Sequence, residues 1–400
     1  MKSYPAIFVA PLLAFAGPAL SATLTVEAGA NGQERLQTAL IEAKSGDTVQ
    51  IGAGTFDLTD GLSLDVDKVT VRGAGPGRTI LSFKGQKGAG EGLLVTADDV
   101  VLRDFAVEDS RGDGIKSKAA NRIVYFNLRV EWTGGPKSTN GAYGVYPVES
   151  KDVLIDRVTV KGASDAGIYV GQSQNIIVRN STAQYNVAGI EIENSFKADV
   201  FFNNASHNTG GILVFDLPNL PQKGGHSVRV FANKIESNDT PNFAPPGNIV
   251  GGVPNGTGVL IMANRDVHVF GNNIGGNGTT NVLVVGYRLP FDDKTYNPLG
   301  SNIIVRNNVH GRAGFAPGPQ FDRGTQLAAA LGGNLPQIIW DGTGRNIRVI
   351  EKVPAFSLGL ARPNMPVSEA QPKQVDLSKG PRYTNLSPIK MPPQMEAAIK

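Results

Sequence analysis

A short pattern, glycine followed by alternating apolar positions, recurs along this chain and constrains its fold more than any other feature. It reads Gly114-Ile-Lys-Ser-Lys, Gly144-Val-Tyr-Pro-Val, Gly167-Ile-Tyr-Val-Gly, Gly189-Ile-Glu-Ile-Glu, Gly211-Ile-Leu-Val-Phe and Gly258-Val-Leu-Ile-Met, with Asn281-Val-Leu-Val-Val as a variant. Successive starts lie 30, 23, 22, 22, 47 and 23 residues apart. Between them run further stretches of period two, starting at Val100, Ile123, Val153, Ile176, Val200, Val228, Val267 and Ile303. Alternation of this kind marks β-strands, and the polar residues that close each stretch mark turns.

Two or three short strands repeated at a fixed period form one coil of a parallel β-helix. A lone coil cannot bury its apolar face, whereas stacked coils share a continuous core of Ile and Val. The predicted fold class is therefore all-β, a single-stranded parallel β-helix. Asn180, Asn204 and Asn307, with Asn233, Asn272 and Asn308 one position on, are expected at coil corners, where Asn tolerates left-handed backbone.

The ends differ from the middle. Residues 33–44 show helical spacing at Leu36, Ala39, Leu40 and Ala43 and stop at Ser45-Gly46, so an N-terminal helix is expected to cover the open end of the stack. The helix-with-stack unit is expected over residues 23–319. A helix/strand cap is expected over 320–350, from the run Thr325 to Leu331, the Gly332-Gly333 stop and the strand-like Gln337-Ile-Ile-Trp. Residues 351–400 hold 8 prolines and little periodicity, and are expected to be extended chain lying on the flank or partly disordered.

Lys2, the apolar run 6–16 and the small residues Ala19, Ser21 and Ala22 read as an export signal over residues 1–22, which predicts a periplasmic or secreted protein. No later stretch approaches the length of a membrane span. The absence of cysteine excludes disulfides, thiolate metal sites and a lipoprotein anchor. A net charge of +3 without a polybasic run argues against nucleic acid or an anionic membrane as partner.

The order of helix, Ser45-Gly-Asp-Thr-Val, Ala53-Gly-Thr-Phe and 22-residue coils resembles the right-handed parallel β-helix repeat proteins of the pectin-lyase-like superfold, over roughly residues 30–315. It is most similar to exported bacterial β-helix repeat proteins without an assigned activity. That superfold hosts lyases, hydrolases, epimerases and non-catalytic proteins, so the resemblance implies a fold rather than a function. Gly112-Asp-Gly and Gly225-His-Ser depart from the Asp-Asp pair and Gly-His-Gly turn of polygalacturonase-like enzymes. The Asp-Pro-His-Asp run of alginate epimerases is absent, and neither the calcium-binding Asp cluster nor the catalytic Arg of pectate lyases can be placed.

Stacking converts sequence columns into spatial rows. The residue two after each Gly should point outward, giving the row Lys116, Tyr146, Tyr169, Glu191, Leu213, Leu260, Leu283. Beside its polar end lie Arg111, Asp113, Tyr143 and Asp165. Insertions 132–142 and 239–257 are expected to overhang this edge, while 216–226 and 286–301 leave from another corner. Trp132 is the candidate to stack on a sugar ring, and Lys137 or Arg111 to meet a carboxylate. If the chemistry is proton abstraction from a polyuronate, Lys116, Tyr146 or Tyr169 is the base. If it is hydrolysis, the two carboxylates come from Asp113, Asp165 and Glu191.

The leading expectation is a polysaccharide lyase or epimerase acting on acidic glycan. The alternative is a non-catalytic β-helix that binds glycan, or a partner protein through its Pro-rich tail. Each outer residue taken alone also has a structural reading, as a strand-forming Tyr or a solvated Lys/Glu pair. His207, His226, His268 and His310 are not at metal-ligand spacing, so no metal or other cofactor is assigned. Calcium on Asp292 and Asp293 has nothing in the sequence to support it.

Overall fold

The computed structural model describes residues 21–88 and 90–400, so the expected export segment lies almost wholly outside the described residues. The repeat forms three sheets that run the length of a stack. Sheet 1 has twelve strands, from Thr23–Val26 to Arg345–Ile350, and sheet 2 has ten, from Gly54–Asp57 to Val309–His310. Sheet 3 has twelve, from Leu62–Leu64 to Lys373–Val375. Each strand pairs in parallel with its counterpart one coil away, apart from the terminal antiparallel pair Ala355–Ser357 with Lys373–Val375. The Gly-led motif is sheet 3, in the register read from sequence: Lys116 faces Tyr146, Tyr169 faces Glu191, and Glu191 faces Leu213. In sheet 1 the stretch assigned to Val200 begins two residues earlier, because Ala198 pairs with Ile176. A slip of two leaves the inward face unchanged, so alternation alone cannot detect it.

Inward Ile and Val from all three sheets form one continuous core. Two ladders of buried asparagine run beside it. In one, Asn203, Asn233, Asn272 and Asn308 stack, and each Oδ1 after the first accepts from the backbone N–H and side-chain amide of the asparagine one coil earlier. In the other, Asn186, Asn208, Asn238 and Asn277 do the same. The second ladder explains the leading glycines. A Cβ on Gly189 would lie 2.8 Å from Asn208 Nδ2, and one on Gly211 would lie 2.9 Å from Asn238 Nδ2. The corner reading needs correction. Asn180 and Asn307 do adopt left-handed backbone, but Phe202 and Ala232 occupy that corner in intervening coils, and Asn204 lies beyond it in a strand. The neighbouring coils enforce the geometry whatever residue stands there.

Helix α1 (Gly32–Glu42) presses Leu36, Ala39 and Leu40 into the N-terminal end of the core. Helix α2 (Gly324–Ala330) precedes the last coil, whose strands Ile338–Trp340 and Arg345–Ile350 continue sheets 3 and 1. The first half of the tail extends sheet 3, and from Ser378 it runs along the outer face of sheet 1 back toward the first coils. Arg348 binds the Ser378 and Pro381 carbonyls, Tyr383 meets His268 edge-on, and the Ile389 N–H donates to Asp199. Helix α3 (Pro393–Ala397) then seats Met395, beside Met391, on Val124, Phe126, Leu154 and Ile177. Glu396 pairs with Arg179 at 2.7 Å, and Arg103 donates to the Ala398 carbonyl. The tail thus covers sheet 1 and leaves the Lys116–Tyr146 row uncovered. No helix among the described residues is long and apolar enough to cross a membrane.

Candidate active site on the outer face of sheet 3

Close stacking of the first coils aligns the site. A Cβ on Gly114 or Gly144 would lie 2.6 Å from the carbonyl oxygen of the next coil, so only glycine lets those strands start in contact. The positions two residues on then project outward in line. At the open end, Lys116 Nζ lies 2.9 Å from Glu91 Oε1, 3.7 Å from Asp113 Oδ2 and 5.0 Å from the Tyr146 ring centre. The Tyr143, Tyr146 and Tyr169 rings pack together with centres 4.4–4.9 Å apart. The Tyr143 N–H donates to Asp113.

These contacts push the two carboxyls apart in acidity. Burial raises Asp113 to about 6, with the Glu91 charge adding to the rise and Lys116 opposing it. Burial acts most strongly on Glu91 and in the same direction, but its hydrogen bonds to Lys116 and to backbone, with the Lys116 charge, together outweigh that and leave it below the usual carboxylate range. Burial alone would lower Lys116, yet Glu91 and Asp113 together hold its ammonium more firmly than usual. Tyr146 is raised to about 12 by burial and then by the carboxylates around it, Asp113 first. Burial and nearby carboxylates also push Tyr143 and Tyr169 well up. The phenols and the ammonium therefore keep their protons near neutrality, and none of them is poised as the base that the sequence suggested.

Further along, the row is covered. Segment 240–256 folds over sheet 3, with Val250 and Val253 packed in one apolar cluster with Tyr169 and Leu213. Asn248 donates to Asp165 at 3.1 Å, and the Tyr169 hydroxyl donates to Glu193 at 2.6 Å. Glu191 is only 1% exposed, and its Oε2 has no partner. Burial, reinforced by the Glu193 charge, pushes Asp165 and Glu191 up, and Glu193 is raised by burial as well. The three acids share protons rather than all ionising. Tyr169, Glu191 and Asp165 therefore do not line an open groove, contrary to the sequence-based expectation. A loop whose own apolar side chains need burial lies on them.

The remaining sequence candidates separate. Trp132 is 5% exposed, packed in the main core, and donates its indole N–H to the Ser110 carbonyl at 2.7 Å. It holds the base of insertion 132–142 and has no face to offer a sugar. Lys137 is exposed on the turn against Gly134, and Arg111 reaches back to the Lys87 carbonyl at 3.1 Å. Asp293 is held by Lys223 and Thr295, Asp292 is exposed, and no group of acidic or His residues among the described residues is arranged to hold a metal ion. Sequence reasoning missed Glu91, which comes from a turn one coil earlier. It also missed Glu193, which the same alternation two residues beyond Glu191 places on the same face. An apolar pocket of about 250 Å³ between Phe215, Leu260, Leu283, Tyr287 and Phe321 lies further along this sheet.

The family described as "Right handed beta helix region" matches residues 68–219. No curated protein matches the sequence. Among solved structures the chain is similar to the A-module of Azotobacter vinelandii mannuronan C-5 epimerase AlgE6, at 15% identity and a TM-score of 0.54, over 85% of this chain and 97% of that one. The AlgE4 A-module from the same organism gives 14% identity and a TM-score of 0.51, over 84% of this chain and 96% of that one. Identities so low speak for the fold alone. The 22-residue repeat, the three parallel sheets and these likenesses identify the chain as a right-handed parallel β-helix protein.

Proposed function

We propose that this protein acts on a polysaccharide bound along the outer face of sheet 3, and that Asp113 and Glu91 perform acid–base chemistry on a glycosidic bond. One observation carries the reading: two carboxyls of opposite acidity shift grip the same ammonium, Lys116, beside the half-open Tyr143 and Tyr146 rings. A pair of titratable groups driven apart by their surroundings is the usual mark of an acid and base assignment. Asp113, raised to about 6, is the proton donor to the departing sugar oxygen. Glu91, kept ionised by Lys116, faces the sugar carbon or its attacking water. Tyr143 and Tyr146 offer apolar ring surface with a polar tip, suited to a sugar ring.

The similar solved structures are epimerases of mannuronan, which supports polysaccharide as the ligand class. Lyase or epimerase chemistry on an acidic glycan, the leading expectation from sequence, is the second reading. It is less well supported because Lys116 and the tyrosines keep their protons. The N-terminal apolar segment supports a periplasmic or secreted location.

The test is a panel of neutral and acidic polysaccharides, followed through new reducing ends and through the ultraviolet absorbance of unsaturated uronates. Reducing ends without absorbance, lost in Asp113→Asn and Glu91→Gln, are expected. A rise in both signals would replace hydrolysis by β-elimination. Silence in both, with no exchange of the sugar C5 proton, would leave a glycan-binding protein without catalysis.

A further inference from the structure

Segment 240–256 is fastened to the stack at its two ends and barely between them. Thr209 holds both ends: its hydroxyl donates to the Thr240 carbonyl, and its own carbonyl accepts from the Gly256 N–H, each at 3.0 Å. Inside the loop Asn242 donates to the Val250 and Val253 carbonyls at 2.8 and 3.0 Å, so the segment is braced by its own side chain. Among the described residues, the one hydrogen bond that leaves residues 241–253 runs from Asn248 to Asp165. The other fastening is apolar, with Val250 and Val253 packed with Tyr169 and Leu213. A loop whose ends meet at one residue and which braces itself has the form of an Ω-loop, free to move as a unit about those ends.

Beneath it lie acids without a cation. Asp165, Glu191 and Glu193 are buried, and Glu191 Oε2 has no partner. The segment itself contributes no charged or titratable side chain. The titratable groups that face the three acids are Tyr143, Tyr146 and Tyr169 on sheet 3, Tyr296 from the insertion 286–301, Asp113, and Asp216, which Arg265 and Lys223 attend. Protonated, the acids tolerate the cover. Ionised, they set like charges together out of water. The Asn248 bond favours ionised Asp165, but one amide cannot replace the hydration of three carboxylates.

We propose that segment 240–256 is a lid, closed while the acids beneath it keep their protons and lifted when they ionise. Lifting adds the coils of Tyr169 and Glu191 to the open stretch at Lys116 and Tyr146, which lengthens the exposed face by about 10 Å, two coil spacings. The lid goes beyond the reading of a glycan-acting face and does not depend on it. Burial holds Asp165 and Glu193 at about 7, above the ordinary carboxylate range they regain once hydrated. Closure is therefore fully favoured below that ordinary range and is lost as pH rises through about 7.

The test is hydroxyl-radical footprinting of the full chain, read residue by residue by mass spectrometry. Tyr169, buried under the segment, reports the lid; Tyr125, buried in the main core, reports the fold; exposed Tyr185 is the reference. From about pH 5 to about pH 8 the oxidation of Tyr169 relative to Tyr185 should rise at least about tenfold, with Tyr125 protected throughout. Equal oxidation of Tyr169 at the two pH values overturns the proposal. A rise shared by Tyr125 is global unfolding and overturns it too. The triple variant Asp165→Asn, Glu191→Gln, Glu193→Gln should keep Tyr169 covered at both pH values, with melting temperature confirming that it is folded; a rise that persists in the folded variant overturns the acids as the trigger. Asn248→Ala leaves every carboxyl in place and removes the one polar tie. It should raise Tyr169 oxidation already at the lower pH, and an unchanged rate there overturns the segment as a lid so lightly fastened.

Discussion

Replacing Asn208 by alanine cuts the second asparagine ladder at its middle. Its Oδ1 accepts from the Asn186 N–H at 3.1 Å and from Asn186 Nδ2 at 2.9 Å, and its Nδ2 donates to the Ala183 carbonyl at 2.8 Å and to Asn238 Oδ1 at 3.1 Å. Asn186 and Asn208 are fully buried, so water cannot substitute. Asn186 Nδ2 keeps the Val160 carbonyl at 3.3 Å, but the Asn186 N–H and the Ala183 carbonyl lose these side-chain partners. At about 1–3 kcal/mol for each stranded group, the expected cost is about 3–5 kcal/mol. An unfolding entropy of about 2 cal/mol/K per residue, taken over the whole chain, converts this to a fall in Tm of roughly 5 °C. Thermal unfolding by circular dichroism reads it directly. Asn238→Ala should cost a similar amount, and the double variant should fall short of the sum by about 1–2 kcal/mol, because the Asn208–Asn238 bonds are lost only once. A Tm change below about 1 °C for Asn208→Ala, or strict additivity in the double variant, would refute the account of the ladder.

Turnover should fall as pH rises through about 6, where Asp113 gives up its proton, and on the acid side only as the depressed Glu91 is protonated; a rate that climbs above pH 7 would exclude Asp113 as the acid. Asp113→Asn should lower kcat by at least about a hundredfold with glycan affinity nearly kept, which separates a proton donor from a binding group. Trp132→Ala should destabilise by about 3–5 kcal/mol and lower Tm without altering the affinity of the folded protein for glycan, since the indole is a core side chain. Met395→Ala should cost about 2–4 kcal/mol and raise proteolysis between residues 386 and 400, read by mass spectrometry of timed digests; a tail cut no faster than in the parent chain would argue against its docking on sheet 1.

The stack was legible because its signal is redundant. Lys116, Tyr146, Tyr169 and Glu191 fell into one row since each sits two residues after a glycine whose Cβ has no room, and that constraint repeats in successive coils up to Gly258. The inward face survived even the misplaced start at Val200, because a shift of two preserves parity. What lies outside the period was not legible. Trp132 reads like a surface aromatic at a loop base until the backbone folds Ser110 over its indole nitrogen. Glu91 does lie within the period: it precedes Gly92 as Asp113 precedes Gly114, one coil apart, and it was missed because the Gly-led motif was counted only from Gly114. The covering of Glu191 and Asp165 depends on where segment 240–256 lands, and its Val250, Val253 and Asn248 carry no periodic mark. The prolines of the tail left open whether it lies along the flank or is partly disordered, and no periodic mark announces Met391 and Met395, whose apolar side chains seat it on sheet 1.

The returning tail sets a limit on how such a molecule can change in length. A solenoid held only by neighbour contacts tolerates the gain or loss of a coil, because each coil meets the same surroundings wherever it stands. Here the segment from Ser378 to Ala398 touches side chains spread over nine successive strands of sheet 1, from the one bearing Arg348 back to the one bearing Arg103. It works as a ruler. Inserting one coil between those strands would shift one end of the scale by about 4.8 Å against the other. Glu396 would then miss Arg179 if Tyr383 still met His268. Duplication or deletion of a repeat must therefore be matched by a change in the tail, while loop insertions at the corners remain free.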